Sequence, residues 1–147
     1  MFHVEHLKRI IMYQNTIGWK QNNLGNLRGE NVKWQGKTGF QNGFSVFESK
    51  EYGVRAIYVD LLLKIKKGTN TIEKILHQYA PASENDTLNY ISFVSKNTRI
   101  PKNQVLTGSE EETRSIVRAI IKHETGYSAP LNLLVKAENL LSVKKKQ

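Results

Sequence analysis

Apolar residues recur at helical spacing in long stripes from residue 49 to residue 141. Val54, Ile57, Tyr58, Leu61, Leu62 and Ile65 make one stripe, with Ser49 placed to cap its start and Gly68 to stop it near Lys67. Asn70 or Thr71 opens a second helix that Ala80-Pro81 closes. Asp86 or Thr87 opens a third, with Leu88, Ile91 and Val94 expected inward. After a loop bent by Pro101, Ser109 caps a fourth, with Glu112 at the capping-box position. Pro130 fits the first turn of a last helix carrying Leu131, Leu134, Val135 and Leu141.

The first third of the chain is patterned differently. Leu7, Ile10 and Ile11 suggest a short helix over residues 5–14. Residues 15–43 are dense in Asn, Gln and Gly, and read as loops with short strands at Val32-Lys33-Trp34-Gln35 and Phe44-Ser45-Val46-Phe47. Trp19, Trp34, Phe40, Phe44 and Phe47 need a surface to pack on, so low hydrophobicity here does not mean disorder. The pattern predicts an α+β fold, mainly helical, with a small antiparallel hairpin or sheet. It also predicts one domain over 1–147: an N-terminal helix or arm at 1–15, loops and a β-hairpin at 16–48, a helical part at 49–141 and a basic tail at 142–147.

Composition narrows the chemistry. Hydrophobic residues are 39% of 147, enough for a buried core, and no apolar run approaches the roughly 20 residues of a membrane span. Glu5, His6, Lys8 and Arg9 interrupt the start, so no secretory signal is expected. The absence of cysteine excludes disulfide and thiolate chemistry. His3, His6, His77 and His123 are scattered, so neither a metal nor a cofactor is expected. The net charge of +9 favours polyanionic partners: nucleic acid, an anionic membrane surface or a cell wall. Arg114, Arg118 and Lys122 recur every four positions and form a row able to track phosphates, or a solvated helix face.

Two segments carry candidate chemistry. In Arg114 to Gly126 the apolar stripe Val117, Ile120, Ile121 continues onto Glu124, a carboxylate at the end of a helix. Apolar surroundings and the negative end of the helix dipole both disfavour its ionised form, so a raised pKa is expected, as suits a general acid. The alternative is a frayed last turn with Glu124 in water. In Gln21-Asn22-Asn23-Leu24-Gly25-Asn26-Leu27-Arg28-Gly29, amides so closely spaced make tight turns and can bond sugar hydroxyls and N-acetyl groups, or cap the turns themselves. Trp34 offers a flat apolar face for a pyranose ring.

The ordered series Asn22-Asn23-Leu24-Gly25-Asn26-Leu27-Arg28, Trp34-Gln35-Gly36, Phe44 to Ser49, Tyr52 to Ala56, Asn70-Thr71-Ile72 with Tyr79-Ala80-Pro81, Glu84 to Thr87 with Tyr90-Ile91, and Ala119 to Gly126 spans roughly residues 20–127. It resembles a family of small phage and prophage proteins, similar in turn to lysozyme-like cell-wall hydrolases and lytic transglycosylases. The first motifs look like the sugar-cleft half of bacterial glucosaminidase domains. Ile120-Ile121-Lys122-His123-Glu124-Thr125-Gly126 looks like the transglycosylase helix that ends in a catalytic Glu. In those enzymes that Glu precedes the cleft motifs; here it follows them, through a permuted order of elements or through a C-terminal match unrelated to them.

The resemblance implies a lysozyme-like fold and a peptidoglycan-cleaving enzyme, a lytic transglycosylase or muramidase, with Glu124 as general acid. Transglycosylation needs no second carboxylate, whereas hydrolysis would draw on Glu48, Glu51 or Glu84. Asn23, Asn26, Arg28, Trp34 and Tyr79 are the expected cleft residues. The implied partners are glycan strands and other virion proteins. The implied location is the virion, or the host cytoplasm with delivery to the wall. The rival expectation is a non-enzymatic virion component that keeps the fold and binds cell wall, capsid or DNA, with nucleic acid the weakest of these.

Overall fold

A computed structural model describes residues 12–83 and 85–146. Most of the expected helix over 5–14, together with His3, His6 and Glu84, therefore lies outside the described residues; residues 12–14 are helical. The elements then follow as α1 (Ile17–Lys20), β1 (Lys37–Gln41), β2 (Phe44–Phe47), α2 (Lys50–Lys66), α3 (Ile72–Tyr79), α4 (Thr87–Thr98), α5 (Glu110–Thr125) and α6 (Leu131–Lys146). The architecture is α+β and mainly helical, with β1 and β2 as a two-stranded antiparallel sheet.

The helices begin where polar caps stand. Ser49, Thr71, Asp86 and Ser109 each accept a hydrogen bond from the backbone N–H three residues on, at Tyr52, Lys74, Asn89 and Glu112. Each cap satisfies a donor the helix cannot, worth about 1 kcal/mol. Gly126, at φ 84°, ends α5 in the left-handed conformation and donates its N–H to Lys122 O.

The hairpin differs from expectation. The strand placed at residues 32–35 is irregular, and β1 begins instead at Lys37. The reason is Asn42-Gly43, whose φ values of 56° and 82° make a two-residue turn of the kind that matches strand twist. Gln41 thereby pairs with Phe44 and Phe40 with Ser45, so the partner of β2 is the segment immediately before it.

Helix α2 runs through the core. Val54, Ile57, Tyr58 and Leu61 are buried against α5, which contributes Ile116, Val117, Ile120 and Ile121, and beside α6, which contributes Leu133, Leu134 and Ala137. On α4 the buried stripe is Thr87, Tyr90, Ile91 and Val94, and Leu88 is 73% exposed. Thr87 is drawn in by its hydroxyl, which donates to Ala80 O, and this rotates Tyr90 rather than Leu88 onto the core. Leu131 also faces outward and Val135 is half-buried, because Leu133, Leu134 and Ala137 form the inner face of α6.

Candidate functional site

The Asn-rich segment is folded by its own amides. Asn23 is fully buried: its Nδ2 donates to Leu27 O at 3.0 Å and Ser45 O at 2.9 Å, and its Oδ1 accepts from Leu27 N at 2.8 Å. Gln21 Nε2 and Asn22 Nδ2 donate to carbonyls of the hairpin, at Phe44 and Phe47 among others. These bonds fix the turn to β2 without a continuous strand. Gly53 in α2 lets the turn approach closely, since a Cβ there would stand 1.8 Å from Asn22 O.

Held in this way, Asn26 adopts a left-handed conformation (φ 50°) and reaches the end of α5. Its Nδ2 donates to Glu124 Oε1 at 2.7 Å, and the Tyr90 hydroxyl on α4 donates to Glu124 Oε2 at 2.8 Å. Among the described residues no cation stands within ion-pair distance of Glu124. The carboxyl group is therefore held by two neutral donors from parts of the chain that are remote in sequence.

This group borders a cleft of about 410 Å³. Asn26, Arg28, Trp34, Tyr79 and Glu124 all line it, so five of the expected site residues meet there. Tyr79 anchors its wall by donating to Gly25 O at 2.5 Å. Burial, and then the negative charges of Glu124 and Asp60, hold the Tyr79 hydroxyl well above its ordinary pKa. Burial and then the charge of Glu124 do the same for Tyr90, so both phenols stay protonated donors. His123 stacks on the Tyr90 ring with centroids 3.7 Å apart, and burial lowers its pKa although Glu124 opposes the shift. Arg28 is exposed, with its guanidinium 5.0 Å from the centre of the Phe44 ring.

Other expected residues stand elsewhere. Asn23 lies inside the turn and not on the cleft surface. Glu48 is exposed beyond β2, and Glu51 occupies the first turn of α2, where a helix N-terminus favours an anion; neither lines the cleft. Asp60 does line it, bonded to Lys64 at 2.6 Å one helical turn away. Sequence reasoning gave no site role to Asp60, Lys64 or Tyr90, although Tyr90-Ile91 belongs to the ordered series of motifs. The i, i+3, i+4, i+7 spacing of Thr87, Tyr90, Ile91 and Val94 is the signal that could have placed Tyr90.

In the basic row on α5, two of the three cations are engaged within the protein. Arg114 binds Glu138 through Nε and Nη2 at 2.8 and 2.5 Å and also pairs with Glu110. Lys122 donates to Gly126 O and Ser128 Oγ past the helix end. Of the three, Arg118 alone is presented simply as an exposed cation. Among the described residues no group of three metal-ligating side chains occurs, and no helix is long and apolar enough to cross a membrane.

No protein-family model matches the chain. Protein P5 of Pseudoalteromonas phage PM2 is 35% identical over 98 residues, which are 65% of this chain and 60% of that protein. The chain thus matches somewhat under two thirds of its relative's length, and what that match establishes is similarity to a phage protein.

Proposed function

We propose that this is a phage-associated enzyme with a lysozyme-like fold that cleaves the glycan strand of peptidoglycan, with Glu124 as general acid. The observation that carries this reading is the cleft itself. A carboxyl group that among the described residues is bound by neutral donors alone faces a groove walled by Trp34, Tyr79 and Arg28. Protonation of such a group breaks no ion pair, as an acid that must be reloaded each turnover requires.

The glycan strand lies along the groove with a pyranose ring on the Trp34 face, where an aromatic surface binds the apolar side of a sugar. Arg28 and Asn85 supply donors to hydroxyl, acetamide or carboxylate oxygens. Glu124 gives its proton to the glycosidic oxygen, and the bonding pair of the C1–O bond goes to that oxygen as it leaves. In a transglycosylase the 6-hydroxyl of the same sugar then attacks C1 and gives its proton to the Glu124 carboxylate, which restores the acid. In a hydrolase water attacks, and Asp60 is the described carboxylate on the cleft wall available to assist. Similarity to a phage protein supports delivery with the virion.

Zymography on purified peptidoglycan tests the reading with wild type and Glu124→Gln. Clearing by the wild type that drops at least about 100-fold in the variant is expected. Equal clearing by both proteins removes Glu124 as the acid. No clearing by either leaves the non-enzymatic virion component that binds cell wall.

A further inference from the structure

The partner of Glu124 has an unused end. Asn26 Oδ1 is buried and has no hydrogen-bond partner among the described residues, while its Nδ2 is 2.7 Å from Glu124. A buried amide oxygen without a partner is costly, and such groups call for a reason. Both donors on Glu124 suit a carboxylate, which only accepts. A protonated Glu124 carries one O–H and needs an acceptor close by.

A half-turn of the Asn26 carboxamide supplies it. The amide oxygen and nitrogen are nearly equal in size, so the turn exchanges their places without displacing neighbours. Oδ1 then meets the acid proton. Nδ2 moves into the place that Oδ1 occupied, beside Gly18. A Cβ on Gly18 would stand 2.8 Å from Asn26 Oδ1 and 2.8 Å from Asn23 O, so those two oxygens flank one small gap. Asn23 O accepts only the Asn26 backbone N–H at 3.0 Å among the described contacts and has a second lone pair to offer. Gly18, with no side chain, keeps that gap open.

We infer that the Asn26 carboxamide changes partner with the protonation of Glu124: Nδ2 donates to the carboxylate, and Oδ1 accepts from the acid while Nδ2 turns to Asn23 O. Asn26 is thereby a positioning residue. Its catalytic use rests on the reading of Glu124 as the acid. It holds the loaded proton on Oε1 until the glycosidic oxygen takes it, and then turns back to the carboxylate. The other titratable or charged groups around this pair are Tyr90 from α4, Tyr79 from α3, Asp60 and Lys64 from α2, Arg28 from the turn and His123 from α5 itself. Tyr79 and Tyr90 remain neutral throughout the range in which a carboxyl titrates.

The test is an NMR titration of full-length protein labelled at Glu Cδ and Asn Nδ2. The Asn26 δ-amide signals should shift with the same midpoint as the Glu124 carboxyl. Their cross-peaks should pass from Glu124 Hγ above that midpoint to Gly18 Hα below it. Cross-peaks to Glu124 at every pH, or amide shifts that ignore the Glu124 titration, overturn the inference. Asn26→Asp, of the same shape, places two carboxyls in contact, and their upper midpoint should rise by about 1–2 pH units over that of Glu124 in the wild type. An unmoved midpoint in a folded variant also overturns the inference. Because these readouts need no lysis, an inactive wild type that shows the switch would count against the enzyme reading and leave the switch standing.

Discussion

Two glutamates in this protein each accept a tyrosine hydroxyl, and the second donor separates them. Glu138 takes Tyr58 at 2.5 Å and is clamped through both oxygens by Arg114. Glu124 takes Tyr90 at 2.8 Å and an uncharged carboxamide. The Arg114 bonds hold the Glu138 carboxyl below its ordinary range against the opposing effect of burial, and the same pair ties α5 to α6. That cluster joins helices and needs a permanent charge. The Glu124 cluster opens on a cleft, and both of its donors are neutral.

The comparison can be broken in four ways. Glu124→Gln should cost at least about 100-fold in peptidoglycan clearing while changing unfolding free energy by less than about 1 kcal/mol, as read in a urea titration. A large loss of stability would make Glu124 another structural clamp. Arg114→Met should do the reverse, removing about 3 kcal/mol by leaving Glu138 unpaired, with clearing per folded molecule unchanged. Its effect carries a sign in pH. The Glu138 pKa is depressed in the folded state, so the stability it contributes is present above the ordinary value of 4.5 and lost as pH falls through the lowered one. Thermal melts of Arg114→Met should therefore depend less on acid than those of wild type; equal slopes would sink the assignment.

Gly18→Ala comes next. Its methyl group would stand 2.8 Å from both Asn23 O and Asn26 Oδ1 and 3.1 Å from Thr125 Cγ2. A loss of about 1–3 kcal/mol with displacement of Asn26 from Glu124 is expected, visible as a changed Asn26 δ-amide signal. Tyr90→Phe is the mildest, at about 1 kcal/mol for one hydroxyl, and Tyr58→Phe should cost more because its hydroxyl shares an oxygen with Arg114. Equal losses for the two phenylalanine variants would erase the distinction between the clusters.

Local signals were legible wherever the physics is local. Caps at Ser49, Thr71, Asp86 and Ser109 stand at the helix starts because a side chain three residues from a free N–H needs nothing else. Glu124 was visible as a carboxylate on an apolar stripe, and Asn26, Arg28, Trp34 and Tyr79 as groups suited to a sugar cleft. Asn23 was not separable from Asn26 by type. One amide is spent wholly inside the turn and the other points out of it, and backbone dihedrals decide which. The strand at 32–35 failed because the Asn42-Gly43 turn closes the hairpin more tightly than a longer glycine-rich link.

The amino-acid sequence by itself determines the helical stripes, their caps and stops, the hairpin turn, and the presence of a carboxylate where a helix should be apolar. Each follows from spacing within a few residues. Only the tertiary structure decides what that carboxylate meets. Asn26 and Glu124 are 98 residues apart, and Tyr90 and Glu124 are 34 apart. They are joined by the packing of α4 on α5 and of the turn on α2, an outcome of burying apolar surface that no local pattern encodes. The same packing spends Arg114 on Glu138 and leaves Glu124 with neutral partners, and that difference sets apart the clamp from the candidate acid.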